Sequence, residues 1–281
     1  MRDTAKLQPA LSIVIPAYNE AARLPTSLEA LRRYLTTLPY PSEVVVADDG
    51  STDGTSAVVK RLIRAWRTPP VLRLVSGPHL GKGGAVRAGV LAATGDYIAL
   101  ADADFSMPVA EFDRFKPSAL GAYDLAIGSR EAPGARRYDE PLHRHLMGRA
   151  FNALVQLLLL SGIQDTQCGF KCLRREVAHE LCRRQTISGW GFDVELLYMA
   201  RKRGYRIREV PISWHYMPGS RINPLRDTLT MLRDILTIRA NGARGHYDAP
   251  VAMSAPVAIL AKSLPPVSPP VSDSMSVHTA E

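Results

Sequence analysis

Short, nearly continuous runs of aliphatic and β-branched residues alternate with stretches in which leucines recur three and four positions apart. The runs at residues 11–15, 43–47, 71–75, 97–101 and 124–128 predict strands. Their apolarity is nearly continuous rather than alternating, so both faces of the sheet they form should be covered. Between the first two, Leu24, Leu28, Leu31 and Leu35 follow at spacings of 4, 3 and 4 and form one stripe of an amphipathic helix. Val58, Leu62, Ala65 and Trp66 make a second stripe, preceded by the cap-forming residues Ser51, Thr52 and Asp53. Strand–helix alternation of this kind predicts an α/β fold with an open, largely parallel sheet flanked by helices. Such a sheet gathers its ligands outside the carboxyl ends of its strands.

The pattern changes after Gly128. Residues 130–144, rich in Arg, Pro and Gly, read as a loop, and an apolar helix follows over 146–160, where Leu146, Leu154, Leu157 and Leu158 can share one face. A loop over 162–171 leads to one helix and then to another carrying Phe192, Leu196 and Met199. A strand is expected over 206–213, and Leu225, Leu229, Leu232 and Leu236 mark a last amphipathic helix. Residues 250–281, with two Pro-Pro pairs and no core pattern, are expected to be a disordered tail. The division expected is an extension over 1–10, two halves of one domain over 11–127 and 128–245, and the tail over 246–281.

The 281 residues are 46% hydrophobic and 22% charged, a globular composition. No apolar run approaches the ~20 residues of a membrane span; the longest, 153–160, is interrupted by Gln156 and closed by Ser161-Gly162. The first ten residues have no apolar core of a signal peptide. Cys168, Cys172 and Cys182 are too few for a disulfide framework and suit a reducing cytosol, and Cys168 and Cys172 lack a second pair of ligands for zinc. The net charge of +8 is uneven: Lys and Arg number 14 against 13 acidic residues over 1–127, 20 against 11 over 128–245, and 1 against 3 thereafter. A basic second half implies an anionic partner: nucleic acid, a phosphorylated substrate or an anionic membrane surface. Nucleic acid is disfavoured, because the basic residues lack interleaved aromatics and no recognition-helix motif is present.

Polar loops follow three of the predicted strands: residues 16–20, Asp48-Asp49-Gly50-Ser51, and Asp102-Ala103-Asp104. Two carboxylates one residue apart can present oxygens to one hard cation, which in turn can bridge a diphosphate. Gly81, Gly83 and Gly84 permit close backbone approach around Lys82, which can meet a phosphate or satisfy an aspartate.

These segments in this order resemble the nucleotide-sugar-binding half of the family 2 inverting glycosyltransferases, enzymes of the GT-A fold. Gly128-Ser129-Arg130, the stretch 165–171 (Asp-Thr-Gln-Cys-Gly-Phe-Lys) and the stretch 190–195 (Trp-Gly-Phe-Asp-Val-Glu) extend the resemblance over residues 11–239. They are similar to the polyprenyl-phosphate branch, especially the dolichyl-phosphate glucosyltransferases and less closely the dolichyl-phosphate mannose synthases. The resemblance implies a single domain on a Rossmann-like sheet, with 11–127 binding the nucleotide sugar and 128–245 the acceptor. It implies that Pro16, Ala17, Tyr18 and Glu20 line the base and ribose and that Asp49 faces the base edge, with Asp48 the alternative. Lys82 and Asp102 belong with the nucleotide sugar, and Asp102 and Asp104 with Mg2+ or Mn2+. Mannose synthases carry Gln where this chain has Ser106, so water or a smaller ligand, Ser106 or His215 among the candidates, would complete the metal shell.

Arg130 and Arg144 match positions for the lipid phosphate and the donor diphosphate, while Arg136 and Arg137 read as solvated. Arg221, in Gly219-Ser220-Arg221, matches a basic loop over the diphosphate. Asp165 is either a general base or a group that orients Lys171 or the arginines. The catalytic set implied is therefore Asp104, Asp165, Arg130 and Arg144. The activity implied is inverting transfer of a hexose, foremost glucose from UDP-glucose, onto a polyprenyl phosphate, by an enzyme peripheral on the cytoplasmic face of the membrane. GDP-mannose-dependent transfer to the same lipid, or transfer to a soluble acceptor, is the alternative. A lipid phosphate is already anionic and needs positioning rather than a base.

Overall fold

The computed structural model describes residues 8–66, 68–217 and 224–248. The predicted tail from residue 250 and the 219–221 loop with Arg221 lie outside the described residues. The first half runs β1 (Leu11–Ala17), α1 (Leu24–Thr36), β2 (Ser42–Asp48), α2 (Thr55–Ala65), β3 (Val71–Ser76), α3 (Lys82–Ala92) and β4 (Tyr97–Leu100). A 3-10 turn at Val109–Phe115 and the short α4 (Pro117–Leu120) lead to β5 (Leu125–Ser129). The second half adds β6 (Arg136–Tyr138), α5 (Leu142–Leu158), β7 (Lys171–Arg174), α6 (Arg175–Arg184), α7 (Phe192–Lys202), β8 (Ile207–Pro211), β9 (Ser213–His215) and α8 (Pro224–Ala243).

One seven-stranded sheet has the order β3-β2-β1-β4-β7-β5-β8, and β6 pairs with β9 in a small second sheet. Among the described residues only β7 runs against its neighbours β4 and β5, and every other pairing is parallel. The carboxyl ends of β1, β2, β4 and β5 therefore share one edge, where the predicted polar loops meet. All of β2 and β5 and most of β1 are buried, as their unbroken apolarity requires. Pro16 is tolerated inside this central strand because it lies past the last β1–β4 pair, Val14 with Leu100.

Leu24, Leu28, Leu31 and Leu35 are all buried on α1. On α2 the fully buried aliphatic is Val59, with Val58 and Leu62 beside it half-buried and Ala65 exposed. The cap position of this helix is taken by Gly54, and Asp53 just before it accepts from the Thr55 N–H (3.0 Å) and hydroxyl (2.5 Å). Helix α3 has no leucine stripe to announce it. Its glycines replace one: a Cβ at Gly89 would come within 2.5 Å of Val14 Cγ1, so the bare backbone lies directly on the sheet.

The second half departs from the pattern at several points. Residues 171–174 form a strand rather than the end of a loop, and β6 lies inside the predicted 130–144 loop. The four leucines proposed to share one face of α5 divide. Leu146 and Leu157 are exposed, Leu157 by 82%, whereas Leu154 and Leu158 are half-buried beside the buried Asn152 and Val155. On α8 Ile235 and Ile238 are buried and Leu232 is half-buried against the core, while Leu229 is 69% exposed and Leu236 is exposed too; the side chain of Leu225 lies outside the described residues. The three cysteines are buried thiols. Among the described residues no helix is long and apolar enough to cross a membrane.

Candidate active site

Two loops are stitched together where β1 and β2 end. The Asn19 N–H donates to Ser51 Oγ (2.8 Å), the Thr52 N–H to Asn19 Oδ1 (2.8 Å) and the Glu20 N–H to Thr55 Oγ1 (2.9 Å). Asp48 receives the Ser51 N–H (3.1 Å) and the Ser56 hydroxyl, so it organises the start of α2. Asp49 is turned onto the next loop. Its Oδ1 accepts from the Leu80 N–H (2.8 Å), its Oδ2 from the Gly81 N–H (2.9 Å), and Oδ2 also meets His79 Nδ1 at 2.7 Å. The His79 ring stacks on Tyr18, with centroids 4.1 Å apart. Of the residues assigned to the base and ribose, Tyr18 offers a ring, the Ala17 carbonyl is taken by the Asp49 N–H (2.9 Å), and Glu20 lies 3.7 Å from Arg23.

The second cluster forms beyond β4. Lys82, at the first position of α3, places Nζ 2.6 Å from Asp102 Oδ1. Burial alone would raise the Asp102 carboxyl pKa, but the Lys82 ammonium outweighs it and holds it below the usual aspartate range. On the other side of Asp102 lies Gly169, where a Cβ would stand 2.6 Å from Oδ2. Asp104 uses Oδ1 to accept the Ser106 N–H (3.0 Å). The Ser106 hydroxyl accepts from Trp214 Nε1 (3.1 Å), and the His215 ring stacks on Tyr138 at 4.5 Å. Among the described residues no group of three or more His, Cys, Asp and Glu could hold a metal. The donors present are the two hard carboxylates, each with an oxygen that accepts no hydrogen bond from another of the described residues, a set that fits a divalent cation completed by phosphate and water oxygens.

A third cluster holds the arginines. Arg130 grips Asp165 with Nε (2.8 Å to Oδ2) and Nη2 (3.0 Å to Oδ1), and its own N–H adds a third bond at 3.0 Å. Burial of Asp165 would raise its pKa, yet the guanidinium and these hydrogen bonds outweigh it and hold it at about 2. The loop around Asp165 is itself tied down: Glu209 on β8 accepts the Gln164 N–H (2.9 Å) and the Asp165 N–H (3.1 Å), and Asn152 on α5 accepts the Thr166 N–H (3.0 Å). Arg130 lies over the Trp214 ring at 5.5 Å and Arg144 over the Tyr216 ring at 5.1 Å. The two rings have centroids 6.3 Å apart, so the segment just after β8 draws the two arginines to neighbouring supports. Arg137 is no solvated residue: it pairs with Glu131 and Glu140. Lys171 is fully buried on Asp193 and the Cys168 carbonyl (2.6 Å), so Asp165 orients Arg130 rather than Lys171.

Sequence reasoning did not single out His79, Trp214 or Tyr216 as site residues. The aromatic alternation at Trp214-His215-Tyr216 was the available signal for the last two; nothing local marks His79.

Comparison with known proteins gives the family and the fold. The Glycosyl transferase family 2 model matches residues 12–182. A dolichyl-phosphate beta-glucosyltransferase of Dictyostelium discoideum is 35% identical over 244 residues, 82% of this chain and 73% of its own length. The Homo sapiens protein of that name is 35% identical over 256 residues, 84% of this chain and 77% of its own. Among solved structures, glucosyl-3-phosphoglycerate synthase from Mycobacterium tuberculosis, in complex with Mn2+, UDP and glucosyl-3-phosphoglycerate, superposes with a TM-score of 0.57 at 21% identity, over 85% of this chain and 80% of the other. That likeness is one of fold, the GT-A arrangement of a mostly parallel sheet with flanking helices. With a family model matched over most of the domain and relatives of this identity along most of the chain, the protein belongs to glycosyl transferase family 2.

Proposed function

We propose that this enzyme transfers glucose from UDP-glucose, with inversion, to the phosphate of a polyprenyl lipid of the dolichyl type. The relatives named above act on dolichyl phosphate by name, and the structural neighbour holds UDP. One observation carries the choice of acceptor: the carboxylates around the arginines are already committed. Asp165, the carboxylate that faces the arginines, is locked on Arg130 at a pKa of about 2; Asp193, though burial raises its carboxyl, is fixed on the buried Lys171, Asp102 is on Lys82, and Asp104 is assigned to the metal. A neutral hydroxyl acceptor would need one of them as a base near neutral pH. An acceptor phosphate brings its own charge, and planar guanidinium groups can grip two of its oxygens at once.

In this reading Tyr18 supports the base, and Lys82 lies against the diphosphate. Arg130, fixed by Asp165, and Arg144 aim an acceptor oxygen at the anomeric carbon opposite the leaving group, which makes the transfer one of positioning. Asp102 and Asp104 would hold Mg2+ or Mn2+, which when bound offsets the charge that develops on the departing diphosphate. Arg221 is assigned to the same diphosphate from its motif.

The protein would work while lying on the membrane. Leu142, Leu146, Met147 and Leu157 form an exposed apolar stripe along α5, beside Arg149 and Arg144. A helix of that character lies in an anionic lipid surface without spanning it. The cytoplasmic leaflet, rich in anionic lipid, suits both this stripe and the three free thiols.

A panel of UDP- and GDP-hexoses, offered with polyprenyl phosphate and Mg2+ or Mn2+, tests the reading through the sugar recovered in the organic phase. UDP-glucose should lead the panel. A lead by GDP-mannose would reassign the donor, and sugar appearing only on a water-soluble acceptor would remove the lipid from the proposal.

A further inference from the structure

Along the stretch 190–195, nearly every side chain is committed to holding the fold. Phe192 is fully buried, its Cβ occupying the space left free at Gly83. Asp193 carries the buried Lys171, and Val194 is in the core. Glu195 is fully buried and accepts from the Thr186 N–H (2.9 Å) and the Ile187 N–H (2.9 Å), tying down the loop before α7. That loop is also clamped to the start of α3. Gln185 Nε2 donates to the Gly83 carbonyl (2.9 Å), and a Cβ at Gly81 would come within 2.7 Å of the Ser188 carbonyl.

Trp190 is the exception. Its backbone belongs to this clamped loop, yet its side chain is 38% exposed, with the ring 5.2 Å from Lys82 Nζ, and that ammonium sits on Asp102. Packing does not explain an indole kept at the mouth of the cleft, since a large aromatic gains most by being covered. Lys82 takes only one edge of the problem: a cation over the ring covers one face and leaves the rest of a flat apolar surface beside the Asp-x-Asp loop. The ligand that suits such a surface has an apolar face and a polar rim. A pyranose whose hydroxyls are equatorial is of this kind, because its axial C–H bonds line its two faces and its hydroxyls form the rim.

The geometry points to Trp190 as the wall on which the hexose of the nucleotide sugar stacks, with Lys82 holding the charged side of the same donor. The inference rests on the donor reading above and deepens it. Hexoses bearing an axial hydroxyl, as mannose does at C2 and galactose at C4, present a less apolar face and stack less well. Trp190 thereby becomes a residue that favours glucose.

The test compares binding of UDP and of UDP-glucose, each with Mg2+, to wild type, Trp190→Ala and Trp190→Phe by titration calorimetry. Loss of the stacked face in W190A should weaken UDP-glucose about five- to tenfold while leaving UDP within about twofold, and W190F should recover most of the loss. A role confined to shielding the Lys82–Asp102 pair would weaken both ligands equally. That result, or no loss for either ligand, overturns the assignment. A wild-type protein that binds UDP but gains nothing from any attached hexose overturns the donor reading together with it. Wild-type glucose transfer to lipid alongside unchanged W190A binding overturns the Trp190 assignment alone.

Discussion

Replacing Asp165 by Asn keeps the shape of the Arg130 partner and removes its charge. In the wild type the carboxylate is only 4% exposed and accepts two guanidinium bonds and two backbone N–H bonds. Removing one member of a buried ion pair costs about 3 to 5 kcal/mol. Arg130 retains partial access to solvent, which favours the lower end, about 3 kcal/mol. For a domain of this size that corresponds to a melting point lower by about 6 to 12 °C.

The same pair carries a pH signature. The Asp165 carboxyl is held at about 2 against an ordinary 3.8, a difference worth about 2 kcal/mol of folding stability. Because the folded-state pKa is the lower one, this stability is fully present above about pH 4 and is lost as the pH falls toward 2. Urea unfolding of wild type and D165N at pH 7 and pH 3 should show a wide gap at pH 7 that narrows at pH 3. Turnover in D165N should fall with the loss of Arg130 alignment, and wild-type turnover between pH 5 and 8 should show no limb from residue 165. A variant melting within about 2 °C of wild type, or a stability gap equal at the two pH values, would refute the ion-pair account.

Three further perturbations probe the cleft. Asp104→Asn should lower turnover by about a hundredfold or more with the melting point of the metal-free protein unchanged, and EDTA should reproduce the loss in wild type; full activity in EDTA contradicts the metal assignment. Arg144→Ala should raise the apparent KM for polyprenyl phosphate about tenfold, as for a lost charge-assisted contact, and the donor KM far less; the reverse split would move Arg144 to the diphosphate. Gly169→Ala forces a methyl group to within 2.6 Å of Asp102 Oδ2, so the carboxylate must swing away, and kcat should fall much further than thermal stability; normal kcat would show that Asp102 tolerates the shift.

The parts of this structure that could be read from the sequence are those fixed by local periodicity. The leucines of α1 are four for four in the core, and the unbroken strands of the first half pair in parallel with their polar ends together. Helix α3 was hidden because its contact surface is glycine, which adds nothing to a hydrophobic stripe even though Gly89 lies on Val14. On α8, Leu229 and Leu236 lie on a side that the other described residues leave open, while Ile235 and Ile238 take the core with Leu232 at its edge. Period shows that a helix has an apolar face, but the partner elements choose which face is covered.

The site divides in the same way. The Asp102/Asp104 pair and Lys82 follow from short motifs. Which side chain meets which depends on residues far apart in the chain, such as Arg130 with Asp165, Lys171 with Asp193 and Trp214 with Ser106, and no local spacing specifies those pairs.

Incubation of the protein with UDP-glucose labelled in the sugar, Mg2+ and polyprenyl phosphate in anionic vesicles, followed by organic extraction and NMR of the anomeric centre, tests the central claim most directly. Label should appear in the lipid fraction, linked through phosphate in the β configuration and opposite to that of the donor. Label confined to the aqueous phase, or a lipid product that retains the α configuration, would contradict it.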